Sequence, residues 1–493
     1  MNLLFDSAPW TSPSISPAAA DALRIGCGVL MLITLIRLLP DARRYFLSER
    51  WGGYGERGWR VDPIQNPVVL PVLLTAWMAA CIALAGGWYP TTAAAVNLAF
   101  CYYFFIAMRW RGVLRGLGAP GFIATWLAAA VFLIELTRRH IPDLQGLALF
   151  TLQIDFALIF LAAGIYKLLA GYRSGDGMEL GMVNPQWGYW GRQWARVPPS
   201  HPVFRFCNEM AWGTEVVAGI LMLVPQTRFL GAALILLSFI FIATQIRLGF
   251  LCEMVIVCCL VFFHPGSAGD VAAAAWLPSA VSPAPSLLNP WIGRVLATLL
   301  WAYVILLPFA RFGQSYNMFA KKALPGPVQA LLDFYTNVFG LILWRVFSAD
   351  HTNFAIRIYS LDAAGRRVLV SNWEQHGRFF ARFNQVGEAI VVTTLFTALK
   401  YYPSNNALFV DRLLRYTRTL PKRDGSRFVF EHVTVAKASD HFELRPAAEF
   451  TVDVAANTVD EVTLDPSRSV RAAVAGSPLH EGARPGSYVP LKS

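Results

Sequence analysis

The chain has 493 residues, of which 55% are hydrophobic and 15% charged, against roughly 25% charged in ordinary soluble domains. With a mean hydropathy of +0.45, this excludes a purely water-soluble enzyme and makes the bilayer the main solvent. The net charge of +11 comes without the aromatic interleaving that stacks bases, which argues against nucleic acid as a partner.

Taken at about 20 residues per crossing, apolar runs fall at 22–40, 68–88, 93–110, 118–137, 147–170, 209–225, 229–248, 249–264 and 290–311. This predicts an all-α polytopic bundle of about nine transmembrane helices, spanning residues 1–312. Only Arg247-Leu248-Gly249 separates the seventh run from the eighth, so these two form a tight hairpin or include a re-entrant piece. Met1 to Ala20 has no basic n-region, so the first run reads as a retained helix and not as a cleaved signal. The next segment, 313–349, is a linker in which Phe334 to Phe347 is too short to span. It is expected to lie in the interface with Tyr335, Trp344 and Arg345 at headgroup level.

Arginines concentrate after the first, third, fifth and seventh runs: Arg43, Arg44, Arg50, Arg57 and Arg60, then Arg109, Arg111 and Arg115, then Arg173, Arg192, Arg196 and Arg205, then Arg247. The positive-inside rule then puts the N-terminus outside and the tail after Phe312 in the cytoplasm. The seven cysteines lie within apolar runs or at the edge of one, and Cys258-Cys259 is a vicinal pair with no metal or redox spacing. No metal is expected.

Beyond Asp350 the text changes to a small α+β domain over 350–464. Phe354 to Tyr359, the turn Asp362 to Gly365 and Arg367 to Val370 read as a hairpin. Asn405 to Thr419 reads as an amphipathic helix, and Phe428 to Val435 and Phe450 to Val454 as strands. Its basic residues, Arg412, Arg415, Arg418, Lys422 and Arg423, form a solvated face or rest on anionic headgroups, the former being favoured. The last stretch, 465–493, is rich in Pro, Gly, Ser and Arg and expected to be disordered.

Chemistry is expected where ionisable groups sit inside apolar runs, because a charge at the bilayer centre costs roughly 2.5 to 3.5 kcal/mol on insertion scales. Lys167 and Asp155 share the fifth run. Twelve residues, or about 18 Å of helical rise, keep them from pairing with each other. Lys167 lies about one turn from the end of its run, where its ammonium can snorkel to the interface. Partners from other runs are Glu215, Gln245 and Glu253, and one polar pocket of Lys167, Asp155, Glu215 and Gln245 is expected. The loop after Lys167 carries Tyr172, Trp187, Tyr189, Trp190 and Trp194. These belong to an aromatic belt or cover a flat aromatic ligand.

Ala163-Gly164-Ile165-Tyr166-Lys167-Leu168, followed by Arg173-Ser174-Gly175-Asp176-Gly177-Met178-Glu179, resembles the lysine helix and following segment of vitamin K-dependent gamma-carboxylase. That enzyme belongs to the HTTM superfamily, as do the lipase maturation factors. Glu215-Val216-Val217-Ala218-Gly219, Gln245 and Leu248-Gly249-Phe250 keep the register, so residues 150–265 carry the resemblance. It implies that Lys167 acts as a base toward a quinol such as vitamin K hydroquinone, with Glu215 beside it and Asp155, Gln245, Trp187, Tyr189 and Trp190 around the cofactor. It also implies a lumenal loop after the lysine helix, opposite to the side the arginines give. The pattern departs at Tyr166, where the carboxylase has a first lysine, and in the short tail, which has no counterpart of its propeptide- or glutamate-binding part. Two readings stay open: a quinol-dependent membrane enzyme, carboxylase-like or an oxidoreductase, or a non-catalytic maturation factor that holds a protein client. No internal repeat supports a transporter.

Overall fold

The computed structural model describes residues 11–108, 118–275, 290–320, 324–344, 352–371, 379–401, 406–421 and 427–465. Arg109, Arg111, Arg115, Arg345, Lys422, Arg423 and the tail after 465 lie outside them. The membrane part contains α1 (Pro17–Leu38), α2 (Val69–Gly86), α3 (Pro90–Cys101, prolonged by the π-helical Tyr102–Ala107), α4 (Gly118–His140), α5 (Gln145–Leu169), α6 (Pro202–Leu223), α7 (Arg228–Gln245), α8 (Leu251–Cys258), α9 (Pro290–Phe319) and α10 (Gly326–Phe339). The C-terminal part contains α11 (Phe379–Tyr401), α12 (Asn406–Arg418) and the strands β1 (Phe354–Leu361), β2 (Arg367–Ser371), β3 (Arg427–Lys437), β4 (Phe442–Asp453) and β5 (Thr458–Thr463).

Seven helices, α1 to α5, α7 and α9, are long and apolar enough to cross a membrane. Of the nine expected runs, the other two are shorter or more polar. α6 has 22 residues but carries Arg205, Glu209 and Glu215, and the apolar helix Leu251–Phe262 is too short. Leu299, Ile305 and Phe312 of α9 and Leu237 of α7 point outward, whereas Asn97, Gln153, Asp155, Lys167, Glu215 and Arg228 are buried within the otherwise apolar core of the helices. An apolar exterior with the polar groups kept inside is the arrangement a hydrocarbon solvent requires.

Local signals set the helix ends. Ser16 caps α1 by accepting from Ala19 N at 3.0 Å, with Pro17 in the first turn, and α2 stops at Gly87 with φ 76°. The run expected to lie in the interface behaves differently. α10 begins at Gly326 and packs Leu332 and Tyr335 with Leu307 and Ala310 of α9, beside Ile154 and Leu158 of α5. It ends at Gly340 (φ 69°), where a Cβ would come within 2.4 Å of Ile106 Cδ1. The chain then turns inward without helical bonding, and Trp344 is buried between Phe122 and Phe160. Two freed carbonyls are satisfied from α9: Arg311 donates to Ile342 O at 2.7 Å and Gln314 to Leu341 O at 3.0 Å. Tyr335 and Trp344 are therefore core residues and not headgroup-level anchors.

The strands form one antiparallel sheet in the order β2-β1-β3-β4-β5. The hairpin β1–β2 and the helix α12 fall where the sequence places them. β4 begins eight residues before the expected Phe450, and α11 and β5 are additions. Phe396 of α11 packs edge-on against Phe409 and Phe450, joining both helices to one face of the sheet.

This domain is bonded to the loops after α1 and α5, two of the loops in which arginines collect. Asn184 donates to Thr352 O (2.8 Å) and Phe354 O (2.6 Å), and Gln186 donates to Ala389 O (2.8 Å) and Thr393 Oγ1 (2.9 Å). Glu388 accepts from Arg44 and Tyr45, both at 2.8 Å, and from Tyr416. Burial, with Glu388 beside it, holds the Tyr416 phenol well above its ordinary pKa, so it stays a donor. The basic face of α12 is also part of the seam. Arg415 is buried beside Glu56 (3.4 Å), and Arg418 meets Glu49 at 2.5 Å. This replaces the expected solvated face.

Replacing Asn184 by Ala leaves two buried carbonyls unpaired, at about 1–3 kcal/mol each. Hydrogen exchange over β1 in the full chain is expected to rise while α1 to α5 keep their protection; unchanged exchange in β1 would show that the seam does not depend on Asn184.

Candidate functional site

α5 and α6 run antiparallel at unusually close range because each presents a glycine to the other's backbone. A Cβ at Gly164 would lie 2.8 Å from Trp212 O, and one at Gly219 would lie 2.8 Å from Leu161 N. Small residues at such a contact let helix backbones approach. One turn from each glycine stand Lys167 and Glu215, whose Nζ and Oε1 are 2.6 Å apart. Both side chains are 2% exposed. The lysine does not snorkel; it points into the bundle.

The pair is incompletely satisfied. Among the described residues Glu215 Oε2 has no hydrogen-bond partner, nor has the indole Nε1 of Trp212, one turn before it. The aromatic residue next to the ammonium is Tyr172, its ring centre 6.0 Å from Nζ and its side chain fully buried. Burial, with Glu215 nearby, pushes the Tyr172 phenol well above its usual pKa, so it remains protonated. Beyond Tyr172 lies a second polar cluster. Glu179 Oε2 accepts from Gly177 N (3.2 Å) and Asn208 Nδ2 (2.8 Å), while Lys437 of β3 reaches Glu179 Oε1 (3.2 Å) and Asp176 (2.9 Å).

The other residues singled out from the sequence lie elsewhere. Asp155 accepts from Trp126 Nε1 (3.0 Å), Tyr303 (2.8 Å) and Arg311 (3.2 Å), tying α5 to α4 and α9. That is a buried, satisfied structural ion pair, and it is not shared with Lys167. Gln245 ends α7, where its side chain accepts from Trp194 Nε1 at 3.2 Å. Trp187, Tyr189 and Trp190 gather at the same end. Arg247 N donates to Trp187 O (2.8 Å), Tyr189 N to Gln245 O (3.0 Å) and Trp190 Nε1 to Thr244 O (3.0 Å). Trp190 is half exposed and Trp187 buried. Glu253 Oε2 on α8 lacks a partner and is likewise apart from the lysine.

The expected four-residue pocket therefore reduces to Lys167 and Glu215. Arg311 and Tyr303 were missed as partners of Asp155. The signal for them was an arginine closing an apolar run that also carries a tyrosine two turns earlier. Lys437 gave no signal, because its role depends on domain docking. Among the described residues no group of His, Cys, Asp and Glu could hold a metal ion.

Comparison with protein-family models, with curated proteins and with solved structures returned no match to this chain.

Lys167→Met would leave Glu215 buried without its counter-charge and is expected to destabilise the chain by about 3–5 kcal/mol. Adding Glu215→Leu should recover most of the loss in detergent unfolding curves. A double variant no more stable than the single one would mean that the two residues do not form an energetic pair.

Proposed function

We propose that this chain is a multi-pass membrane protein, with α6 and the short α8 completing nine membrane segments, in which Lys167 and Glu215 form a proton-transfer site for a lipid-soluble small molecule such as a quinol. The observation that carries this reading is a buried lysine–glutamate contact of 2.6 Å whose second carboxylate oxygen has no partner. A buried ion pair kept only for structure is expected to satisfy its remaining lone pairs.

The chemistry is that of a paired acid and base. Moving the proton from Nζ to Glu215 leaves a neutral amine and a neutral carboxylic acid. The amine can then take a proton from a quinol hydroxyl, and the acid can return one. The resemblance to the HTTM superfamily, with Lys167 at the position of the carboxylase base, supports this reading. Tyr166, where the carboxylase has its first lysine, speaks against carboxylation of protein glutamates. By the positive-inside rule, the arginine-bearing loops and the C-terminal domain, which share one face, would be cytoplasmic in the cell membrane.

A non-catalytic maturation factor is the alternative. The way the C-terminal domain is bonded to two loops favours it, since such a platform suits a protein client and needs no chemistry at Lys167.

The test is mass spectrometry of lipid extracted from protein purified in native membrane, with Lys167→Ala and Lys167→Arg alongside. The enzyme reading expects a stoichiometric quinone in wild type that Lys167→Ala loses. It also expects oxidation of an added naphthoquinol by dissolved oxygen, which takes up the two electrons, to stop in Lys167→Arg, because guanidinium cannot serve as a base. Absence of any quinone, with full function in Lys167→Arg, would overturn it and leave the client-holding reading.

A further inference from the structure

The loop between α1 and α2 closes on itself. Ser48 N donates to Gln65 O at 3.0 Å, Glu49 N to Gly55 O at 2.6 Å and Gly55 N to Leu47 O at 3.0 Å. Its backbone is therefore fixed, while its outer parts are open: where a Cβ would stand on Gly52 or Gly58, nothing lies within 4 Å. Beside these two glycines are Trp51 and Trp59, which are 44% and 76% exposed. Each carries an arginine over its ring, Arg50 at 5.3 Å and Arg60 at 4.6 Å from the ring centre.

The charges of the loop sort by direction. Its acids turn inward: Glu49 meets Arg418 of α12 at 2.5 Å, Glu56 lies 3.4 Å from Arg415, and Asp62 has Oδ1 buried. Arg50, Arg57 and Arg60 stay exposed. Docking of the C-terminal domain thus takes up two carboxylates and leaves a cationic surface with two open indoles. The loop also stands at the ends of α2 and α3, both long and apolar enough to cross a membrane. Tyr103, in the π-helical extension of α3, donates to Arg60 O at 3.1 Å, and the chain enters α2 past Val68 and Val72, which are exposed.

We propose that this loop is a docking surface for anionic lipid headgroups, with Arg50, Arg57 and Arg60 on the phosphates and Trp51 and Trp59 among the headgroups. Indole rings favour that level of a bilayer, and guanidinium matches the phosphate geometry. Each arginine near the surface strengthens attraction to an anionic lipid roughly fivefold. An acidic protein would meet the same charges, but the open tryptophans and the position at the helix ends favour lipid. The inference rests on reading the chain as a multi-pass membrane protein and not on any chemistry at Lys167.

The test places the full chain in nanodiscs of phosphatidylcholine with and without phosphatidylglycerol, with two readouts: hydrogen exchange over residues 48–65, and native mass spectrometry of lipid retained after mild delipidation. In wild type, exchange in the loop is expected to slow when phosphatidylglycerol is present, and phosphatidylglycerol to be retained over phosphatidylcholine. Changing Arg50, Arg57 and Arg60 together to Gln should remove the slowing and lower the preference more than tenfold, and changing them to Lys should keep most of both. Arg445→Gln, on the sheet and paired there with Glu443, should alter neither. A chain that does not enter the discs overturns the membrane reading and this proposal with it. A chain that enters them but shows no slowing in wild type, the same slowing in the triple Gln variant, or an equal loss in Arg445→Gln overturns this proposal alone and leaves the loop to an acidic protein partner.

Discussion

A hydrocarbon solvent offers no hydrogen bonds, and the membrane part is organised around that constraint. Many polar side chains inside the bundle have a partner on a neighbouring helix, and each such pairing fixes two helices together. Asn97 of α3 accepts from Trp77 of α2 at 2.8 Å, Gln153 of α5 accepts from Arg228 of α7 at 2.7 Å, and Asp155 gathers α4, α5 and α9. An unpaired group in such surroundings costs several kcal/mol. Among the described residues the second oxygen of Glu215 bears that cost, as do Trp212 Nε1, Glu253 Oε2 and Trp344 Nε1, and of these only Glu215 is also half of a buried ion pair with a lysine.

Much of the membrane part was legible because its signals are local. Twenty apolar residues make a span, glycine or proline marks its end, and arginines collect in alternate loops. Two of the loops that those arginines single out, after α1 and α5, are ones that bond the C-terminal domain. Legibility failed where meaning depended on a distant partner. The stretch around Tyr335 and Trp344 has an interfacial composition, yet α9 supplies donors for its unwound carbonyls, so it is accommodated inside. Arg415 on an amphipathic helix reads as solvated until the loop bearing Glu56 closes over it.

The site shows the same division. Lys167 and Glu215 were found because an ion in an apolar run is conspicuous, and the glycines beside them explain how the two helices come close enough for a 2.6 Å contact. Asp155 was equally conspicuous, but its partners occupy its oxygens with an indole, a phenol and a guanidinium. Burial alone does not distinguish the two carboxylates; the donors around them do, three for Asp155 and, among the described residues, Lys167 alone for Glu215.

The loop from Asn184 to Gly188 connects residues far apart in the chain. Its amides are completed by groups 168 to 207 residues further on. At synthesis rates of about 5–20 residues per second, this loop waits roughly 10–40 s after it is made before its partners exist. During that interval Asn184 and Gln186 must be satisfied by water, and the end of the lysine helix is uncovered. The loop thus acquires its full set of bonds only after residues 352–393 have been made. Quality control that senses open amides or exposed aromatics would see this protein as unfinished until then.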